Sequence, residues 1–207
     1  TGNFGDVYAG YLAKKIGLPI NKFIVATNQN DILYRAIKNG SYNVENVLET
    51  ISPSMDIQIA SNFERLIFDL NDHSDKKTIA VMKGIKEKGK YEIQKESIDK
   101  INVDFLSARM DEIEVLNTIK TVYEKFDKVL DPHSAIGYGA FDKVNLKGNN
   151  IVLATAHPCK FPGAIEKAIN IKSELPNELS FILDEKENYD IIDNDLDKIK
   201  KHIKERI

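Results

Sequence analysis

The stretch Thr1-Gly2-Asn3-Phe4-Gly5-Asp6 carries the clearest chemistry in this sequence. Glycine lets a backbone turn tightly and approach a ligand closely. A helical pattern follows at once, and the first turn of a helix has N–H groups with no internal partner. Together such donors form an anion site, most naturally for phosphate. A tight turn with an ordinary helix cap satisfies the same pattern. Asp6 argues against an anion unless its charge points away.

A second group lies at Ser61-Asn62-Phe63-Glu64-Arg65. Ser61 or Asn62 caps a helix carrying Phe63, Leu66, Ile67 and Leu70. Glu64 suits that helix start. Arg65 is less favoured there unless a bound anion recruits it, and plain solvation or pairing with a carboxylate accounts for it as well. His133, in Asp131-Pro132-His133-Ser134, stands at a junction and reads as structural, with no second histidine at metal-ligand spacing. Thr155 and His157 follow a continuous apolar run, at a strand end of the kind where α/β folds place ligands. The Thr27–Asp31 turn holds a similar position, although capping alone explains its polar residues.

The elements that must position these groups alternate. Helix is expected over 6–16, ended by Gly17 and Pro19, then a buried strand through Lys22-Phe23-Ile24-Val25-Ala26-Thr27. Asp31 is a candidate cap for a helix through Ile32, Leu33, Ala36 and Ile37 that ends near Gly40. Residues 41–60 look irregular, a length that is uncommon without a function. Helices follow from 61 and over 74–89, then a charged connector from Lys90 to Asp99 leads to Val103, Phe105 and Leu106. A helix from Asp111 to Phe126 shows an apolar face of Ile113, Leu116, Ile119, Val122 and Phe126. Asp131 and Pro132 start another. Ile151–Thr155 reads as a strand covered on both sides, Pro162 opens a helix, and Asp195 caps an amphipathic tail with Leu196, Ile199 and Ile203 on one side. The series implies a mostly parallel sheet with helices on both faces. We assign residues 1–170 to one unit and 171–207 to a terminal extension packing on it.

Composition narrows the function. The chain has 207 residues, 42% hydrophobic, with a formal net charge of −3. No basic stripe points to nucleic acid. One cysteine, Cys159, excludes an intrachain disulfide framework and suits a reducing, cytoplasmic setting. No run approaches the roughly 20 apolar residues of a membrane span. The abrupt start, without an initiator Met, suggests a piece of a longer protein cut at or inside a functional loop.

Several segments in order resemble threonine synthase: Gly2-Asn3-Phe4-Gly5-Asp6, Tyr11 through Pro19, Ala26 through Leu33, Ser52-Pro53-Ser54-Met55-Asp56-Ile57, Ser61 through Leu66, Leu130 through Ala135, and Ala154 through Phe161. The resemblance spans residues 1 to about 162. It implies the tryptophan-synthase-β-like fold, fold type II of the pyridoxal-phosphate enzymes. It implies conversion of O-phospho-L-homoserine and water to L-threonine and phosphate, with pyridoxal 5′-phosphate as cofactor. Gly2, Asn3, Phe4 and Gly5 take the cofactor phosphate by this resemblance, and Thr155 the group facing the pyridine nitrogen. For the substrate's phosphate, Asn62 and Arg65 offer the best chemistry among the matched segments, with Lys160 competing.

The family's Schiff-base lysine lies upstream of the glycine loop and is not in this sequence. Lys14, Lys15 and Lys160 do not hold its place, and Cys159 stands where an alanine is expected. The resemblance therefore implies the C-terminal half of the enzyme, inactive alone, with the N-terminal half as its partner and an exposed sheet edge able to drive self-association. A non-catalytic anion-binding or interaction domain on the same scaffold is the alternative.

Overall fold

The computed structural model describes residues 2–207. In chain order it runs α1 (Gly5–Lys15), β1 (Phe23–Thr27), α2 (Ile32–Asn39), β2 (Ser41–Asn43), a 3-10 turn (Pro53–Met55), α3 (Phe63–Leu70), α4 (Asp75–Lys88), β3 (Lys90–Glu92) and α5 (Lys95–Asp104). It continues through β4 (Phe105–Arg109), α6 (Glu112–Phe126), α7 (Pro132–Val144), a second 3-10 turn (Pro158–Lys160) and α8 (Pro162–Ile169). Residues from Leu175 onward form a separate compact unit with a 3-10 segment (Asn177–Leu183) and α9 (Leu196–Lys204). There Asp195 accepts from the N–H groups of Asp197 and Lys198, and Arg206 pairs with Asp190 at 2.7 Å. Among the described residues, no helix is long and apolar enough to cross a membrane.

β1 and β4 pair in parallel, from Phe23 opposite Phe105 to Thr27 opposite Arg109. Alternate side chains of a strand point to opposite faces, and here each face has its own core. Val25 and Phe105 join a cluster with Phe4, Leu33, Ile37, Phe63 and Ile101. Ala26 and Ala108 join another with Met110, Ile119, Ile136 and Ile165. The fold is thus mixed α/β, with helices flanking small sheets on both faces. β2 and β3 form a separate antiparallel pair, with Tyr42 opposite Tyr91.

Several expectations need correction. Ile151–Thr155 is not a strand. Ile151 and Leu153 are exposed, and among the described residues no strand pairs with this stretch. Its apolar run has strand composition, but a strand exists only where a neighbour takes its backbone groups. β1 does have a partner in the chain, because the connector after Gly89 folds into β3 and α5 and delivers β4. The buried face of α6 is Val115, Ile119 and Val122, while Ile113 and Phe126 lie outside it. Asp31 precedes α2 without capping it through its side chain, since Oδ1 takes the Arg35 Nε–H at 2.8 Å instead. Asn62 likewise makes no side-chain cap on α3.

Gly40 ends α2 with φ of 82°, a left-handed conformation that side chains disfavour. A Cβ there would lie 2.4 Å from Ile98 Cδ1 and 2.9 Å from the Ile93 carbonyl oxygen. Gly40→Ala combines left-handed strain with overpacking and should destabilise the protein by about 3 kcal/mol. Equilibrium urea unfolding measures this, and an unchanged midpoint would contradict the packing described.

Candidate functional site

The Gly2–Gly5 loop is held at both ends. A Cβ on Gly2 would lie 2.9 Å from Met55 Cα and Ser54 O, so only glycine lets the loop rest on the 3-10 turn. Asn3 Oδ1 accepts from the Ser61 hydroxyl at 2.6 Å, and its carbonyl accepts from the Asn62 N–H at 3.2 Å. Phe4 adopts φ 65°, ψ 5°, and its ring is fully buried. That ring meets Phe63 edge-on at 5.3 Å and Phe105 at 5.7 Å. Gly5 starts α1, whose amide end has no side-chain cap.

Asn62 stands beside that amide end. A Cβ on Gly5 would lie 3.4 Å from Asn62 Nδ2. Asn62 Oδ1 accepts from Arg65 Nε at 3.1 Å. The structure therefore brings together Gly2, Asn3, Phe4 and Gly5 with Asn62 and Arg65. A helix start, a carboxamide and an exposed guanidinium form a donor-rich surface, which suits an oxyanion. Asp6 is exposed in the first turn of α1 and is the one acid on that turn.

Thr155 reaches this region through a buried cluster at the start of α7. Asp131 Oδ1 accepts from the backbone N–H of His133 at 2.9 Å and contacts His133 Nδ1 at 2.9 Å. Asp131 Oδ2 takes the Ser134 hydroxyl in a short hydrogen bond. Ser54 donates its N–H to His133 Nε2 at 3.2 Å. A donor at Nε2 requires the lone pair there, so the ring proton sits on Nδ1 and points at Asp131. Thr155 donates its N–H to Ser134 Oγ at 3.3 Å, and Phe161 packs its ring 4.7 Å from that of His133. Burial alone would push the Asp131 carboxyl up, but the hydrogen bonds from His133 and Ser134 outweigh it and hold the group below the usual carboxylate range. Lys160 is exposed at the end of the 3-10 turn Pro158–Lys160, next to Phe161.

The Thr27–Asp31 turn is a polar knot. Asn28 Nδ2 donates to Ser52 Oγ at 2.9 Å and Asp56 Oδ1 at 2.7 Å, and Asn30 bonds both the N–H and the carbonyl of Leu48. Thr50 gives its N–H and its hydroxyl to the two Asp56 oxygens. These bonds order the irregular segment after β2 and support the turn under Gly2. Residue types hint at such a knot, but its partners are too far apart in sequence to pair by reading.

Comparison with known proteins bears on this arrangement. Residues 134–203 match the family described as threonine synthase, C-terminal. The chain is 38% identical to threonine synthase of Pseudomonas aeruginosa, over 98% of this chain and 44% of that protein. A crystal structure of pyridoxal-phosphate-bound threonine synthase from Brucella melitensis superposes with a TM-score of 0.88 at 40% identity, covering 99% of this chain and 44% of that one. Threonine synthase from yeast gives 0.84 at 38%, covering 99% and 46%. The chain spans about half the length of the relatives it matches. Its mixed α/β architecture matches the tryptophan-synthase-β-like fold of those structures.

Asp131 gives the cluster a pH signature. Its folded pKa is lowered, so the stability it contributes is complete above the unfolded carboxylate range and is lost as pH falls through the folded value. Thermal unfolding followed from pH 7 down to about pH 2 should show a decline beginning below about pH 5. Asp131→Asn should cost about 2 kcal/mol at neutral pH and flatten that acid decline. A variant with the parent's acid slope would rule out this role.

Proposed function

We propose, on the premise that this chain matches the C-terminal portion of threonine synthases along nearly its whole length, that its parent converts O-phospho-L-homoserine and water to L-threonine and phosphate with pyridoxal 5′-phosphate. The observation that carries the reading is the Gly2–Gly5 loop. Its uncapped helix start supplies donors for one phosphate, and the neighbouring Asn62 and Arg65 supply donors for a second. The lone Cys159 agrees with a reducing, cytoplasmic setting.

In this reading Gly2, Asn3, Phe4 and Gly5 hold the cofactor's phosphate with backbone donors, helped by the dipole of α1. Thr155 offers its hydroxyl to the ring nitrogen. With the cofactor bound, a neutral hydroxyl there would favour an unprotonated ring nitrogen and moderate electron withdrawal compared with a carboxylate. The bound cofactor supplies the electron sink. Asn62 and Arg65 receive the phosphate of O-phospho-L-homoserine, since a guanidinium holds phosphate with both charge and two-point geometry. Lys160 is the competing cation. In this reading neither Lys14, engaged by Asp104 at 2.6 Å, nor Lys15, engaged by Asp69 at 3.1 Å, is the anchoring amine, and Lys160 does not hold its place either. That amine, which also carries protons during the reaction, belongs to the N-terminal half of the parent, and this chain alone is inactive.

Two measurements test the reading. In the full-length parent, Arg65→Ala should raise KM for O-phospho-L-homoserine by about 10- to 100-fold, the worth of charge-assisted hydrogen bonds, with the bound cofactor's absorbance unchanged. Normal substrate kinetics, or collapse of cofactor binding, would remove Arg65 from this role. This chain alone, treated with pyridoxal phosphate and borohydride, should show only scattered labelling of surface lysines on peptide mapping. Stoichiometric labelling of one lysine would overturn the assignment of the amine to the other half. A full-length parent that neither takes up cofactor nor turns over substrate would leave the scaffold as a non-catalytic binding domain.

A further inference from the structure

The supports of Gly2 and Thr155 come from distant parts of the sequence, and a single buried cluster joins them. Asp131, His133 and Ser134 are 1%, 6% and 2% exposed. Capping α7 needs only backbone N–H groups on the Asp131 carboxylate. Here each carboxylate oxygen also takes a side-chain donor: the ring N–H of His133 on Oδ1 and the hydroxyl of Ser134 on Oδ2. Each of those side chains then presents a lone pair to a backbone amide elsewhere. His133 Nε2 receives Ser54, whose carbonyl oxygen lies under Gly2. Ser134 Oγ receives Thr155. A charged carboxylate polarises both relays, which strengthens both outer bonds.

We propose that Asp131, acting through His133 and Ser134, is a positioning residue that sets the spacing between the support of the Gly2–Gly5 loop and Thr155. The proposal rests on the cofactor reading above. His133 governs the phosphate end and Ser134 governs the ring end, so the two arms respond to different substitutions.

The test uses the full-length parent reconstituted with pyridoxal phosphate. His133→Leu should weaken cofactor affinity about tenfold, the worth of one lost hydrogen bond, and shift the phosphorus-31 resonance of the bound cofactor. His133→Gln, which keeps an acceptor for Ser54, should recover most of that loss. Ser134→Ala should alter the absorbance band of the bound cofactor while leaving its phosphorus resonance in place. Variants that bind with the parent's affinity and spectra overturn the proposal, as do variants that move both signals alike. An unaltered parent that binds no cofactor overturns the cofactor reading itself, and this proposal with it. Should a variant not fold, hydrogen exchange in the unaltered parent decides: the Ser54 and Thr155 amides should gain protection together on cofactor binding, and unrelated responses reject the link.

Discussion

The loop at the amino end depends on the burial of one ring. Phe4 sits in the left-handed region at a cost of about 1–2 kcal/mol for a residue with a side chain. Burying a phenylalanine returns about 2–3 kcal/mol, and its edge-on contact with Phe63 adds about 1. Burial wins, so the strained conformation is stable without any ligand. The ring is therefore the anchor of the loop. It points into the core with Phe63 and Phe105, and what Phe4 can offer an anion is its backbone.

The same logic runs through the segment beneath. Residues after β2 carry little regular structure, yet they are held because Asn28 and Asn30, at the end of β1, bond to Leu48, Ser52 and Asp56. Strand, knot, 3-10 turn and glycine loop form one line of contacts. The strand fixes the asparagines, the asparagines fix the turn, and the turn leaves room only for glycine at position 2. His133 ties that line to the start of α7.

Local signals carried much of this architecture into the sequence. β1 is an uninterrupted apolar run between turn residues, and α2 and α4 end at Gly40 and Gly89, both left-handed. β4 was hidden because α5 passes into it at Asp104–Phe105 with no turn residue between, and because Ser107 and Arg109 dilute its apolar character. Ile151–Thr155 misled for the converse reason: composition proposes a strand, but pairing decides. At the candidate site, glycine spacing marked the loop, and Arg65 stood out as a cation at a helix start. The cluster of Asp131, His133 and Ser134 gave no such sign, since its outer partners, Ser54 and Thr155, are near only in space.

The parallel register has a consequence for the making of the chain. Phe23 and Phe105 are separated by roughly 80 residues, so their pairing closes a long loop and its entropy must be offset before the sheet contributes anything. At about 5–20 residues per second, a ribosome delivers β4 roughly 4 to 16 s after β1. Throughout that interval the apolar run Phe23-Ile24-Val25 waits for β4. α1 and α2 are made before β4, and both pack on β1 in the finished fold. The order of synthesis thus makes these two helices early guards of the strand as well as walls of its core.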